Sequence, residues 1–472
     1  MTSFNQNNKK HQTMQKGLII MLCLSLLAVA SATTSHAAIS QSQANRLGNS
    51  LTPFGAIRAG NSEGTIPRWT GGDTGIPEDY EGSGDHHINP YPDDEPRYTV
   101  TARNLNEYRE KVSDGAAAMF MAYPETFKMK VFPTRRSHAA PDHIANNSRK
   151  NAVRADLVNG GNGIQNAFGG HPFPILHGSS EEQAMQAMWN HLTRWRGRHT
   201  ESTFADVIVA GDGFRLITIR QELFFNWNRE DGSPESLDNI LYYYLSSVLA
   251  PAQYAGGGIL IHETLDQVKE PRKAWGFSSG EVRRAPSLAY DAPIASSGNL
   301  RTVDDTGIFS GALDRYNWRY LGRQEMLIPY NNYQLSSDQH DYDEVLDDHH
   351  LNPELTRWEL HRVHVVEASL REDARHLYHK RVFYIDEDSW NIALADQYDE
   401  AGNLWRVTMA MLKNFYDMPG VWVDLAAYHD LKVRRYHVQG LVNETDGSRT
   451  FKDDFPGKRY YSPFTLRRRL SE

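Results

Sequence analysis

FRLITIRQELFFNWN, residues 214 to 228, sets Ile217, Ile219, Leu223, Phe225 and Trp227 at odd positions, with Arg220 and Glu222 at even ones. Successive side chains of a strand point to opposite faces, so this period of two predicts one long antiparallel strand with an apolar and a polar face. The segments NILYYYLSSVLA (239–250) and GGILIHETL (257–265) are apolar on both faces and belong inside a sheet covered on each side. Asp212-Gly213, Asp231-Gly232 and Asp446-Gly447 each stand between such runs. Asp-Gly favours tight hairpins because both central residues of the turn take positive φ. A first β block therefore covers about 204–276.

A second block begins near Asn317 and continues in RWELHRVHVVEASL (357–370); breaks at 371–375, 386–389 and 398–403 divide the rest, to about 455, into a meander. Two helices stand out. Tyr108, Val112, Ala116 and Phe120 recur every four residues between a possible N-cap, Asn104, and Pro124. Ser179 and Glu182 form a capping box ahead of an apolar face of Met185, Met188, Trp189, Leu192 and Trp195, which Gly197 closes. The fold class expected is mainly β with some α: a large curved antiparallel sheet wrapped around few helices.

The N-terminus reads as a secretory signal peptide, 1–37: Lys9, Lys10 and Lys16 precede an apolar run from Leu18 to Ala30, with a cut expected after Ala37. That run is too short to span a bilayer. Its removal takes away Cys23, the single cysteine, and three lysines, which leaves a mature chain more acidic than the −9 of the whole. An acidic chain without thiols points to the periplasm and away from nucleic acid. Residues 38–103 follow as an extended irregular segment rich in Gly, Pro, Asp and Asn, with Trp69, Tyr80 and Tyr91 as anchors, and 104–472 holds the folded domain.

FYIDEDSWNIALADQYDEAGNLWRV (383–407) carries six carboxylates. As a calcium loop it fails: Asp386 and Asp388 fit, but Asn391 stands where glycine is required and Gln397 where a bidentate glutamate belongs. As turns it works, with Asp386-Glu387-Asp388-Ser389 supplying local acceptors and Trp390, Ile392 and Leu394 sharing a buried face. His361 and His364 fall on opposite faces of a strand and do not pair on zinc, while Asp85-His86-His87 and Asp347-Asp348-His349-His350 read as solvated loops. Gly276-Phe277-Ser278-Ser279-Gly280 matches the nucleophile-elbow pattern, yet Pro271 and Pro286 exclude the strand and helix an elbow needs. Arg467-Arg468-Arg469 reads as exposed. No catalytic residue, metal or cofactor is assigned.

LTPFGAIRAGNSEGTIPRWTGG (51–72), EEQAMQAMWNHLTRWRG (181–197), LDRYNWRYLGRQEMLIPYNNY (313–333) and the 357–370 and 380–407 runs resemble a proteobacterial family of secreted proteins of unknown function, outer-membrane lipoprotein-sorting-like and grouped with LolA and LolB. The resemblance implies an incomplete antiparallel barrel with plugging helices and an apolar hollow. It also implies neighbours among inner-membrane export pumps and outer-membrane proteins. The function expected is a non-enzymatic periplasmic carrier of a lipid, acyl chain or other hydrophobic molecule. The residues assigned to the hollow are Met188, Trp189, Leu223, Phe225, Trp227, Trp390, Ile392 and Leu394. The alternatives are an envelope scaffold or pump adaptor without a cavity and, third, a serine hydrolase using Ser278.

Overall fold

From Phe214 to Phe224 the chain is a strand whose faces divide as the alternation predicts: Ile217 and Leu223 to one side, Phe224 to the other. Phe225 and Trp227 lie beyond it. Asn226 donates Nδ2 to the carbonyls of Leu237 (3.0 Å) and Ile240 (2.9 Å), and this fixes a 3-10 turn over Asn226–Asn228 where the ladder would have continued. The computed structural model describes residues 38–211, 213–285 and 290–471, so the predicted signal peptide, Asp212 and Pro286 fall outside the described residues.

In chain order the strands are β1 (Tyr98–Val100), β2 (Met129–Val131), β3 (Asp156–Val158), β4 (Gly163–Gln165), β5 (His199–Val209) and β6 (Phe214–Phe224). Then come β7 (Ile240–Ala250), β8 (Gly258–Thr264), β9 (Lys273–Ser278), β10 (Glu281–Arg284), β11 (Tyr316–Pro329) and β12 (Trp358–Leu370). Last are β13 (Lys380–Asp386), β14 (Ile392–Tyr398), β15 (Leu404–Phe415), β16 (Gly420–Asp430), β17 (Arg435–Leu441) and β18 (Thr450–Lys452). All but β3 and β4 belong to one 16-stranded sheet, in the order β1-β2-β12-β13-β14-β15-β16-β17-β5-β6-β7-β8-β9-β10, with β11 added to β12 and β18 to β5. Its ladders are antiparallel except where Trp358 meets Val131. β12 to β17 form one meander and β5 to β10 another. They join where β17 pairs with β5, Val438 opposite Val207, so the sheet is continuous and its path is open. The fold is therefore a large antiparallel sheet with few helices, as the strand patterns predict. Of the three Asp-Gly sites, Gly213 alone ends a tight connection between paired strands, β5 and β6. Asp446-Gly447 links β17 to β18, which pair with different stretches of β5, and Gly232 lies in the loop before β7.

Among the described residues four helices reach nine residues: α1 (Asp114–Ala122), α2 (Asp142–Ala152), α3 (Ser180–Thr193) and α4 (Pro463–Ser471). The helix expected from Asn104 to Pro124 is interrupted. Asn104 turns its side-chain oxygen back to the Thr101 N–H (2.7 Å), the backbone is extended at Val112, and Ser113 starts α1 by accepting from Ala116 N (3.0 Å). The capping box of α3 is present: Ser179 Oγ accepts from Glu182 N (3.2 Å) and Glu182 Oε2 from Ser179 N (2.7 Å). Ser179→Ala is therefore expected to cost about 1 kcal/mol, read as a lower urea midpoint, with Ser179→Asp close to wild type. An unchanged midpoint for the alanine variant would remove the box as a source of stability.

α3 ends at Thr193, before the expected Gly197. Arg194 turns extended (φ −54°, ψ 154°), and Trp195 is held outside the helix by Nε1 bonds to the carbonyls of Met418 (3.2 Å) and Pro419 (3.1 Å). That extended exit positions Arg194 and Arg196. In the N-terminal segment Trp69 donates to His138 O (3.0 Å) and Tyr80 to Asp417 (2.9 Å), both outside the segment, while Tyr91 donates to Asp73 (2.8 Å) within it. Two histidines read as solvated are instead buried, His87 against Asp417 (2.9 Å) and His350 against Thr126 Oγ1 (2.9 Å), because each finds a polar partner far away in sequence.

Candidate functional site

The odd-numbered side chains of β6 look into open space. A cavity of about 740 Å³ lies between the sheet and the segment 292–310, which places it within the range of about 300–1,000 Å³ usual for small-molecule sites. Ile217, Ile219 and Leu223 of β6 and Tyr242, Tyr244 and Val248 of β7 form one wall; Ile294, Val303 and Phe309 form the roof. The opposite face of the same strands is closed by α4 and the residues before it. There Phe224, Tyr243 and Leu260 pack on Tyr461 and Leu466, and Arg469 reaches Glu222 (2.8 Å) instead of lying exposed. One face of β7 and β8 is thus covered by protein, and the other, expected to be covered as well, meets the hollow, where Ile259 is exposed.

A buried ion-pair cluster anchors the roof. Arg381 of β13 is wholly buried and clamps Asp304 and Asp305 at 2.6 Å each; Tyr378 OH adds a bond to Asp305 (2.9 Å) and Thr302 Oγ1 one to Asp304 (2.6 Å).

Within the apolar lining stand a few charged groups. Arg194 is 1% exposed; its Nε donates to Asn391 Oδ1 (2.7 Å), its Nη1 to the His191 carbonyl, and its Nη2 has no partner. Arg196 is half-buried, stacked over Phe225 (4.4 Å) and Tyr242 (5.5 Å), and donates to Leu192 O (3.0 Å), with its Nε unpartnered. Burial pulls the Arg196 guanidinium down to about 10, and burial followed by the Arg196 charge pulls Arg194 well below its ordinary value. Across the hollow Asp206 is buried with neither oxygen hydrogen-bonded, and burial pushes its carboxyl up to about 7 against the pull of Arg301, 3.8 Å away.

Of the eight side chains assigned to the hollow from sequence, Leu223 lines the cavity. Met188, Trp189, Trp227, Trp390, Ile392 and Leu394 sit in the main core: Trp189 donates to Gly161 O (2.8 Å), Trp227 to Gly170 O (2.9 Å), and Trp390 to Phe54 O (2.9 Å) while stacked on His364 at 4.6 Å. Phe225 belongs to a separate cluster against Trp422 (5.9 Å). Sequence reasoning missed Arg194, Arg196 and Asp206, and of the three tyrosines of β7 it missed Tyr242 and Tyr244, which line the cavity. The available signal was the alternation of arginines in TRWRGR on either side of Gly197.

The carboxylates of 383–407 do turn the chain, with Asp386 Oδ2 accepting from Ser389 N (3.0 Å). Asp386, Glu387 and Asp388 are also buried. Arg136 holds Asp388 at 2.8 and 2.6 Å, and Arg362 holds Glu387 at 3.0 Å. His361, Asp386 and Asp388 come within 4.8 Å of one another, as do His199, Glu201 and Glu222. Protein groups already occupy these atoms: Glu359 bonds His361 (3.1 Å), and His199, Tyr460, Tyr461 and Arg469 all converge on Glu222. Ser278 stands exposed at the end of β9, and Ser279-Gly280, both at positive φ (52° and 81°), form a two-residue hairpin turn into β10. A nucleophile elbow requires a strand followed by a helix, and this turn joins two strands.

Among solved structures, a domain described as outer membrane lipoprotein-sorting, from Vibrio parahaemolyticus, is 13% identical and matches 61% of this chain and 99% of its own with a TM-score of 0.42. A DUF1329 family protein from Desulfovibrio piger is 12% identical, matching 61% of this chain and 100% of its own, also at 0.42. An uncharacterized protein of Pseudomonas aeruginosa is 40% identical over 450 residues, 95% of this chain and 96% of its own length. With that relative, and with the family model "Protein of unknown function (DUF1329)" matching residues 99–467, the chain belongs to the DUF1329 family.

Proposed function

We propose that the protein is a non-enzymatic carrier that shields a lipid, an acyl chain or another hydrophobic molecule in the bacterial periplasm. The observation that supports this reading is the apolar cavity between β5–β9 and the 292–310 roof. Seating an alkyl chain there offsets its exposure to water by about 0.8 kcal/mol per CH₂. An envelope adaptor needs no such hollow, so the cavity favours the carrier over that alternative.

The direct test is mass spectrometry of an organic extract of the mature protein, purified gently from periplasm without detergent. A stoichiometric hydrophobic compound supports the carrier; an empty extract, with no uptake when lipid is offered afterwards, removes it. A second test fills the space. Ser246 of β7 is half-buried and lines the cavity, so Ser246→Trp is expected to weaken capture of a fluorescent fatty-acid probe by at least about tenfold, or ~1.4 kcal/mol, with little change in urea midpoint. Undiminished capture by the folded variant would place the probe elsewhere.

A further inference from the structure

The charges around Tyr242, beside the cavity, do not balance. Arg194, Arg196 and Arg272 gather around Tyr242, and one carboxylate, Glu263, stands among them. Arg272 already claims that carboxylate, with Nε 2.6 Å from Glu263 Oε2. Arg194 has only neutral acceptors, Asn391 Oδ1, the His191 carbonyl and the His191 ring Nε2 (3.3 Å), and leaves Nη2 unbonded although the residue is 1% exposed. Arg196 reaches a neutral carbonyl and two aromatic rings. Guanidinium groups in proteins keep their proton, so the charge cannot be relieved by titration. A buried charge without a counter-ion is costly, and arginine is the side chain whose planar fork suits carboxylate and phosphate. The apolar wall starts next to these groups, with Leu223 and Ile219 on β6 and Leu192 at the end of α3.

We infer that the cavity takes an amphiphile with an anionic head, seated against Arg194 and Arg196 with its apolar body along β6 and β7. This rests on the carrier reading and narrows it: a hollow made for neutral hydrocarbon gains nothing from two uncompensated guanidiniums, whereas an anionic head supplies the missing partner of both. Its source is either a fatty-acid-type carboxylate or a phosphate ester, and both share the chemistry that the fork recognises.

The test uses the full mature protein and three probes with the same alkyl chain: dodecanoate, dodecyl phosphate and dodecanol, measured by displacement of a fluorescent lipid. At least one anionic probe should bind about tenfold or more tightly than the alcohol, and which one identifies the head group. Arg196→Met, whose stem still packs on Phe225, should remove that preference and retain the alcohol, while Arg196→Lys should restore part of it. Arg194→Lys serves as the second variant should Arg196→Met fail to fold. Equal binding of all three probes by the wild type overturns the anionic head and leaves the carrier standing. Absence of binding by every probe overturns both.

Discussion

Arg381→Met should destabilise the protein by about 3–5 kcal/mol and loosen the roof of the cavity in the same step. The guanidinium is wholly buried, stacked among Phe309 (5.3 Å), Tyr378 (5.1 Å) and Phe383 (5.1 Å), and bonded to Asp304 and Asp305 at 2.6 Å. Methionine preserves the stem and much of the volume but strands two carboxylates that are 3% and 1% exposed. His376, 3.2 Å from Asp304, and Tyr378 remain, and they do not replace a positive fork that faces both. Because Asp304 and Asp305 belong to the roof, the loss should appear twice: as a lower urea midpoint and as faster proteolysis within 292–310 in the native state. Arg371→Met supplies the control, since its pair with Asp373 is exposed and should leave the midpoint unchanged. Adding Asp304→Asn and Asp305→Asn to Arg381→Met should recover part of the loss, because stranded charge is the principal damage. If Arg381→Met cost no more than Arg371→Met, the clamp would have no bearing on stability.

What the sequence revealed and what it concealed follow from the range of the interactions. The alternation of 214–224 and the box of Ser179 and Glu182 are settled within a few residues, and the folded chain agrees with both. Phe225 and Trp227 continue the same alternation, yet the strand stops before them, because the bonds that turn the chain come from Leu237 and Ile240. The helix proposed around Tyr108 and Phe120 failed through a local signal read too lightly: Ser113-Asp114 is itself a helix start. Face membership was legible along β6, but whether a face meets core or hollow depends on residues 292–310, so Leu223 lines the cavity while Ile392 and Leu394 lie in the core. Asp388 and Glu387 looked like ordinary turn carboxylates, since charged residues are exposed by default; their partners Arg136 and Arg362 are distant in sequence.

Stability should peak near pH 6.5 and fall on both sides, most steeply toward acid. Eight histidines, His87, His138, His171, His191, His350, His364, His429 and His437, are buried and held below their ordinary value chiefly by desolvation, His138 to about 4 and His171 and His429 to about 3. Below 6.5 the unfolded chain binds protons that the native histidines refuse, so stability must drop as pH falls. Asp206 and Asp396 oppose this: burial raises both to about 7, so the native state keeps their protons where the unfolded chain has lost them. Two carboxyls, helped by the raised Glu263 and Glu387, do not offset the more numerous imidazoles, so the net change from pH 6 to pH 5 is a loss of stability. On the alkaline side the same carboxyls lose their protons near 7. His361, raised to about 9 by Asp386 and Glu359, gives stability that is complete below 6.5 and lost as pH rises through 9. Urea midpoints at pH 5, 6.5 and 9 test both limbs. Equal midpoints at pH 5 and 6.5 would mean that the buried histidines accept protons in the native state. His361→Gln should flatten the alkaline limb and change the acid one less, since its partners Glu359 and Asp386 face it from strand β12 and the end of β13, and of the neutral rings that set the acid response only His138 and His364 feel Asp386. A variant that kept the full alkaline decline would assign that limb to the raised carboxyls and to His199, held up by Glu222 and Asp454.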